Sequence, residues 1–332
     1  MFSEEVRSRN LGGALPLNSK PNSRGTRTAV KRKIGYLVQV LIVGLIFFFL
    51  ARNLYGNWEV VKESLSRFRF WWLLPTGLFL GLAFLMLVET WRWVLRGTGA
   101  SLSFATACKI WFASNMGKYL PGKVWQILGM VYLSERRGVP KVKSFTSSVV
   151  SQFFGAVSGL LIGIIFLLIG GQRTLLGSAF WLWVILATLV ALSGISLLYP
   201  SLVQGVMNFL LRLAKKEPVK FSFDSLSFLL YMLFYGVSWI LFGVAFFFFS
   251  MGLVEPDINF LWLATAGFSI ATVSGFLAVV VPAGLGVREG VLVLLLSGFV
   301  PSHIATLLAL SYRVWFTLAE AVLFGISFLI KR

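Results

Sequence analysis

The sequence predicts an all-α protein: a polytopic membrane helical bundle of about eight transmembrane passes, with a re-entrant elbow of two short helices and one broken helix. Three observations support this fold class. Hydrophobic residues make up 58% of the 332 residues and charged residues only 13%, whereas soluble domains carry about 25% charged residues. Apolar runs of about 20 residues, the length that crosses a bilayer, recur along the chain. Most basic residues lie between those runs.

The first 33 residues differ in composition from the rest of the chain. Residues 1–33 contain eight basic side chains and few large apolar ones, so they cannot bury enough surface to become ordered. We predict a disordered basic cytoplasmic tail over 1–33 and one integral membrane domain over 34–332.

The membrane domain contains eight candidate spans. Seven are long apolar runs, and the seventh in order, 284–299, is short and interrupted by Gly. An even number of passes places both termini on one side of the membrane. The candidates are 34–51, 71–95, 145–169, 179–199, 226–250, 261–281, 284–299 and 303–330.

The distribution of basic residues predicts the orientation, because cytoplasmic loops are enriched in Lys and Arg. With the N-terminus inside, the cytoplasmic segments hold 23 of the 30 basic residues and the external loops hold five. The other two, Arg288 and Arg313, fall at membrane depth. We therefore expect both termini to be cytoplasmic.

The segment after the second span does not have the pattern of a membrane span. Residues 104–116 are too short and too polar to cross, and a Gly- and Pro-containing stretch from Gly117 to Lys123 separates them from a second short run, 124–133. Irregular backbone at membrane depth requires protein or a wet cavity around it. We predict two short helices that form an elbow and line a cavity.

The turn of this elbow is a candidate anion site. Pro121 suits the first turn of a helix, where its missing N–H is not needed. Together with Gly122, it begins a turn whose free N–H groups can bind an anion. Lys118 and Lys123 flank that turn, so we expect all four residues to contact a lipid headgroup.

A second irregular segment, Val281–Gly290, interrupts the apolar stretch from 263 to 300. Gly284, Gly286 and a Pro break the helix, and Arg288 and Glu289 begin a new one. A charge at membrane depth costs at least about 2.5 kcal/mol and indicates function. Gly284, Gly286 and Arg288 are therefore candidate headgroup-binding residues. Alternatively, Arg288 and Glu289 pair with each other and only stabilise the break.

Two charged residues lie inside the last span. Arg313 and Glu320 are seven residues apart and so share one face of a helix. Both a structural ion pair and a cavity-lining role are consistent with this spacing. With Asn115 and Glu289, they are candidates for lining or gating a groove between the two halves of the chain.

The two irregular segments resemble the signatures of a known family. The stretch from Asn115 to Gln126, followed by Glu135-Arg136-Arg137-Gly138, and the later stretch Pro282–Gly290, followed by Tyr312-Arg313, resemble the lysylphosphatidylglycerol synthase transmembrane family. This family is also called the flippase-like domain family. The resemblance covers roughly residues 34–330.

The resemblance implies lipid translocation in the plasma (inner) membrane. In full-length synthases the membrane part moves the lipid product and a soluble domain transfers lysine. The chain ends at Arg332, so we expect a stand-alone membrane part without the synthase domain. Many relatives carry a Glu-Arg pair in the third span, where this sequence has Ser151-Gln152, so the identity of their substrate does not carry over to the centre of this bundle.

The residue inventory excludes several other functions. A single Cys (Cys108) and a single His (His303) leave no disulfide framework and no Cys/His zinc cluster. The sequence contains no Gly-x-x-x-x-Gly-Lys-Ser/Thr loop, so nucleotide hydrolysis is not expected. The net charge of +18 is dispersed between apolar runs, which argues against nucleic acid as a partner. We expect no cofactor and no metal.

Three classes of function follow. The leading one is a non-enzymatic translocator of an anionic lipid, either a phospholipid or a polyprenyl-phosphate-linked species. The second is a non-transporting partner of a membrane enzyme that makes lipids or envelope glycans, a role that suits the basic tail. The third is a polyprenyl-phosphate-sugar glycosyltransferase, for which the external acidic residues Glu255 and Asp257 form no paired-Asp motif.

Overall fold

A computed structural model describes residues 44–120, 124–170, 205, 208–209, 212, 225–278 and 281–329. All of them fall in one of the two units into which the chain divides, Val43–Arg332. In these ranges the regular structure is helical and includes no strand, which confirms the all-α fold class. The helices are α1 Gly44–Tyr55, α2 Trp58–Ser66, α3 Leu73–Gly97, α4 Phe104–Asn115, α5 Trp125–Glu135, α6 Lys141–Ile169, α7 Ser225–Met251, α8 Phe260–Leu277, α9 Val287–Leu296 and α10 Ser302–Leu329.

Five helices, α3, α6, α7, α8 and α10, are long and apolar enough to cross a membrane. They correspond to five of the predicted spans. α9 covers only ten residues, about 15 Å, which is half the thickness of the hydrocarbon core. The segment 284–299 therefore does not contain a helix that crosses the bilayer alone. The predicted tail 1–33, the span 179–199 and the first part of the span 34–51 lie outside the described residues.

Contacts between loops define the two ends of the bundle. At one end, the start of α3 meets the loop after α7, where Arg69 forms an ion pair with Glu255 and its backbone N–H donates to Gly252 O at 3.0 Å. At the other end, Lys143 at the start of α6 donates to Gly99 O after α3, at 2.9 Å. α3 thus runs from one end of the bundle to the other, as a span must.

The centre of the bundle is an aromatic core. Phe84 of α3 packs against Phe242 of α7 and Phe316 of α10, with ring centroids 5.2 Å apart in both pairs. Phe268 of α8 lies 5.6 Å from Phe242 and 5.6 Å from Tyr312. Aromatic pairs at such distances contribute more than their buried area alone. This cluster joins four of the long helices: α3, α7, α8 and α10.

Glycines allow α6 to approach its neighbours closely. A Cβ at Gly159 would lie 2.6 Å from the Trp239 ring of α7, and one at Gly163 would lie 2.6 Å from Ile270 of α8. Small residues permit this kind of close helix packing in membranes. The Trp239 indole N–H donates to Gly155 O at 2.8 Å, which fixes α7 against α6.

The predicted elbow is confirmed. α4 ends at Asn115, a 3-10 turn covers Met116–Tyr119, and α5 begins at Trp125. A Cβ at Gly117 would lie 2.9 Å from the backbone N of Gln126. Gly117 therefore lets the turn fold back onto the first residues of α5. Pro121, Gly122 and Lys123 lie outside the described residues.

The predicted broken helix is also confirmed. α8 ends at Leu277, a short 3-10 turn follows at Pro282–Gly284, and α9 begins after Gly286. Ala283, Gly284 and Gly286 have φ values of 50°, 66° and 82°, in the left-handed region that favours Gly. A Cβ at Gly284 would lie 2.6 Å from the Cα of Gly275 in α8. The turn therefore packs backbone to backbone against α8.

We predict that Gly284→Ala destabilises the protein. The left-handed φ alone costs a residue with a side chain about 1–2 kcal/mol, and the contact with Gly275 adds strain. Gly290→Ala is the matched control, because a Cβ at Gly290 in α9 meets no atom within 4 Å. Thermal unfolding in detergent checks this. An equal loss in both variants, or none in either, would contradict the role of the turn.

Candidate functional site

A cavity of about 250 Å³ lies inside the bundle and is lined in part by the rings of the aromatic core. Its volume is more than ten times the roughly 10–15 Å³ that one water needs, so it can hold a small molecular group. Each of the five long helices contributes one stripe of residues at helical spacing, and so does the shorter α4. The stripes include Trp111, Asn115 and Lys118 from α4 and its turn; Ser148, Ser151, Gln152 and Gly155 from α6; Phe268, Thr272 and Phe276 from α8; and Arg313, Phe316 and Glu320 from α10.

The Glu320 carboxylate is the centre of one polar cluster. Glu320 is fully buried in α10, and its Oε1 accepts a hydrogen bond from Asn115 Nδ2 at 2.8 Å and pairs with Lys118 Nζ. Its Oε2 accepts from the Tyr119 hydroxyl at 2.7 Å. Gln126 of α5 donates to Asn115 Oδ1 at 3.0 Å. One carboxylate thus joins α10 to both arms of the elbow.

The Glu289 carboxylate is the centre of a second cluster, at the broken helix. Its Oε2 accepts a hydrogen bond from the Gly286 backbone N–H at 2.6 Å, which satisfies a free donor at the start of α9. Its Oε1 lies 3.5 Å from Arg313 Nε. Arg313 Nη2 also donates to Ala283 O at 3.2 Å. Arg313 and Glu289 therefore connect α10 to the left-handed turn.

Arg288 has a different environment from the other two cavity cations. Its guanidinium lies between two rings, 4.6 Å from the centroid of Phe268 and 4.5 Å from that of Phe316, and the residue is only 6% exposed. Among the described residues, no carboxylate lies within ion-pair distance of it and no acceptor receives its N–H groups. Lys118 and Arg313 are each paired with a carboxylate. Arg288 contributes the unpaired positive charge of the cavity wall.

The structure brings together most of the residues singled out from the sequence. Five of them line the cavity: Asn115, Lys118, Arg288, Arg313 and Glu320. The other described ones, Gly284, Gly286 and Glu289, form the turn and the cap behind Arg288. Of the two interpretations of Arg288 and Glu289, mutual pairing is not what the structure contains, because Glu289 pairs with Arg313.

Several polar residues of the site were not singled out from the sequence as site residues. Tyr119, Gln126 and Thr272 all have a polar atom in or beside the cavity. Tyr119 and Gln126 carry little signal, since both residue types are common at membrane interfaces and helix ends. A sequence signal does exist for Ser148, Ser151 and Gly155, because polar and small residues at i, i+3 and i+7 of an apolar helix mark its interior face.

The comparison with protein families agrees with this architecture. The model of the family described as "Lysylphosphatidylglycerol synthase TM region" matches residues 36–323. The chain belongs to this family. The match covers nearly the whole chain and confirms the resemblance drawn from the two irregular segments. The protein is thus a multi-pass membrane protein of the lipid-related, flippase-like family. None of the curated proteins compared with the chain matches it.

We predict that Lys118 and Glu320 stabilise the protein cooperatively, so that replacing both residues costs less stability than the sum of the two single replacements. Lys118→Met leaves a carboxylate buried without its cation, which costs about 3–5 kcal/mol. The double variant Lys118→Met/Glu320→Gln removes that charge and should recover most of the loss. Thermal unfolding of the two single variants and the double variant measures the coupling.

The matched control is a pair on the surface. Arg67 and Glu63 form an i,i+4 ion pair 2.7 Å apart with both side chains exposed. Arg67→Met should change stability by no more than about 0.5 kcal/mol. Additive effects of Lys118→Met and Glu320→Gln would show that the two residues do not interact.

Proposed function

We propose that this protein moves an anionic lipid, a phospholipid or a polyprenyl-phosphate-linked species, between the leaflets of the membrane without catalysing a reaction. The observation that carries the proposal is Arg288, whose buried guanidinium forms no ion pair with any carboxylate of the described residues. Charged groups buried away from water are strongly destabilised unless they are paired. A guanidinium presents a planar fork of N–H donors that matches the oxygens of a phosphate group. A lipid phosphate would supply the missing charge.

The other charged residues support a binding role for Arg288. Glu289 and Arg313 form hydrogen bonds with the backbone of the turn that precedes Arg288, and they pair with each other. The left-handed backbone at Gly284 and Gly286 aims the first turn of α9 at the cavity. Broken helices whose first turns face a midplane cavity are typical of substrate sites in transporters.

The elbow is the proposed moving part. Lys118 is the less buried member of its pair, with 22% of its side chain exposed against 1% for Glu320. A phosphate that enters the cavity competes with Glu320 for Lys118 and loosens the contact between the elbow and α10. Pro121, Gly122 and Lys123 follow Leu120 in the sequence, and we propose that they contact the same headgroup. Asn115 and Glu320 would then act as a gate.

The apolar wall accommodates the lipid tails. Phe276, near the end of α8, lines the cavity and is also 43% exposed, so the cavity wall reaches the outer surface of the bundle there. A headgroup can lie inside while its acyl or prenyl chains remain in the bilayer. We propose that movement is either net downhill or coupled to an ion gradient, since the sequence has no phosphate loop for nucleotide hydrolysis.

The proposed orientation follows from the loops at the two ends of the bundle. The end that contains Arg96, Arg136, Arg137, Lys141 and Lys143 is rich in basic residues, whereas the opposite end adds Glu255 and Asp257 to its few cations. The positive-inside rule places the basic end in the cytoplasm. Both termini would then be cytoplasmic, in the plasma (inner) membrane.

We predict that Arg288→Gln slows lipid movement at least tenfold in a folded protein. The substitution removes the charge that a phosphate would neutralise but keeps a polar amide side chain. Vesicles carrying phosphatidylglycerol with a fluorophore on one acyl chain report the transfer rate as the dye in the outer leaflet is quenched. We expect the rate to fall at least tenfold, the effect of losing one charge-assisted hydrogen bond of about 1.5 kcal/mol or more.

Arg137→Gln is the matched control for charge. Arg137 is exposed and lies outside the cavity, so this variant should transfer lipid at the wild-type rate. Transfer that is equal in wild type and Arg288→Gln would leave translocation intact and remove Arg288 from the site. No transfer of any lipid by the wild type would favour a non-transporting partner of a biosynthetic enzyme.

We predict opposite accessibility for the two ends of the bundle in intact cells. In a Cys108→Ser background, a membrane-impermeant maleimide should label Asp257→Cys directly. It should label Arg137→Cys only after the membrane is permeabilised. Both residues are exposed, so burial does not explain a difference. The reverse pattern would place the basic end outside the cell.

A further inference from the structure

The α6 and α8 helices contribute four polar but uncharged side chains to the cavity lining. Ser148, Ser151 and Gln152 lie at i, i+3 and i+4 of α6 and share one face, and Thr272 of α8 lines the same cavity. Glycine at position 155 continues the α6 stripe without a side chain. We call the side chains of Ser148, Ser151, Gln152 and Thr272 the hydroxyl–amide wall.

The hydroxyl–amide wall has unused hydrogen-bonding capacity. Ser151 Oγ is buried and interacts with the Tyr235 hydroxyl, whereas Thr272 Oγ1 is buried and has no hydrogen-bond partner in the described part of the chain. Gln152 has none there either, although its amide offers two donors and one acceptor. Ser148 differs, since its hydroxyl donates to Ser144 O at 2.8 Å. Buried polar groups in native proteins nearly always have partners, and a ligand with hydroxyl groups would provide them.

Charge restricts which ligand fits. Glu320 is the one acidic residue in the described cavity lining, and it already binds Lys118. Glu289, behind the lining, already binds Arg313. An ammonium headgroup would therefore meet no free carboxylate. Among the described residues of the site, the three cations Lys118, Arg288 and Arg313 exceed the two carboxylates by one positive charge, so a ligand with one negative charge balances these groups.

We propose that the cavity selects a lipid with a monoanionic phosphodiester and an uncharged hydroxylated headgroup, such as glycerol or a sugar. Arg288 binds the phosphate, and the hydroxyl–amide wall binds the hydroxyls beyond it. This inference rests on the proposed lipid translocation and specifies its substrate class. Lipids with a headgroup amine are moved poorly because the wall offers them hydrogen bonds without a counter-charge.

The test compares headgroups that differ in one feature at a time. Phosphatidylglycerol and phosphatidylmethanol are both monoanionic phosphodiesters, but only the first carries hydroxyls. Phosphatidylethanolamine adds an ammonium group. Each lipid, labelled on an acyl chain, is placed in phosphatidylcholine vesicles containing the purified protein. We expect phosphatidylglycerol to move at least about five-fold faster than phosphatidylmethanol, the size of one uncharged hydrogen bond, and phosphatidylethanolamine to move most slowly.

The variant Gln152→Leu/Thr272→Val tests the wall itself. It should slow phosphatidylglycerol to about the rate of phosphatidylmethanol and leave phosphatidylmethanol unchanged. A merely destabilising change would slow both lipids together. If the double variant does not fold, the near-isosteric Thr272→Val is used alone and should lower the same ratio in part.

The outcomes separate this inference from the proposed function. Equal rates for phosphatidylglycerol and phosphatidylmethanol in the wild type, or a ratio that the variants leave unchanged, would overturn the headgroup assignment and keep translocation. Transfer of none of the three lipids would overturn both. Vesicles loaded with radiolabelled glycerophosphoglycerol, a water-soluble monoanionic phosphodiester, distinguish a soluble ligand with the same chemistry. Retention of the label is expected, and its release would overturn the lipid assignment.

Discussion

The need to compensate buried charge governs the arrangement of this bundle. Glu289 and Glu320 are almost completely buried, and each is stable there only because a cation and further hydrogen bonds reach it. Those partners come from distant parts of the chain: Lys118 from the elbow for Glu320, and Arg313 from the last helix for Glu289. The two carboxylates thereby fasten both irregular segments to the same helix, α10. The cavity exists between these attachments, and Arg288 remains as the charge that neither of them satisfies.

Backbone strain is concentrated where the chain turns toward Arg288. A residue with a side chain adopts a left-handed conformation only where the surrounding structure compensates, and such strain is found at functional sites. Ala283 is in this conformation with φ of 50°, and its carbonyl accepts a hydrogen bond from Arg313. The close contact between Gly284 and Gly275 in turn requires that neither residue has a side chain. The turn is thus rigid, so the proposed movement is assigned to the elbow.

The sequence predicted the helices and both breaks well because their signals are local. Long apolar runs, a Pro and clustered Gly residues act within a few positions, and α8 and α9 end and begin close to where those residues predicted. The pairing of charges was not predictable in this way. Adjacent helix residues point about 100° apart, so Arg288 and Glu289 face different neighbours, and Arg313 becomes the partner of Glu289 only through tertiary packing. The contribution of Thr272 depends likewise on the rotation of α8 against α6.

Three features of the cavity are each common in membrane proteins, but their combination in one cavity supports the proposed substrate more strongly than any one of them. A buried Arg between aromatic rings can be structural, serines on a helix face can serve packing, and a half-exposed Phe can simply contact lipid. Here all of these groups line one cavity: a cation, uncharged hydrogen-bonding groups and an aromatic wall that reaches the outside of the bundle. A lipid with a hydroxylated headgroup has the matching parts, namely a phosphate with hydroxyls on one side of it and apolar tails on the other. A soluble anion would use the cation but leave the wall at Phe276 without a role, and a purely apolar ligand would leave Arg288 uncompensated.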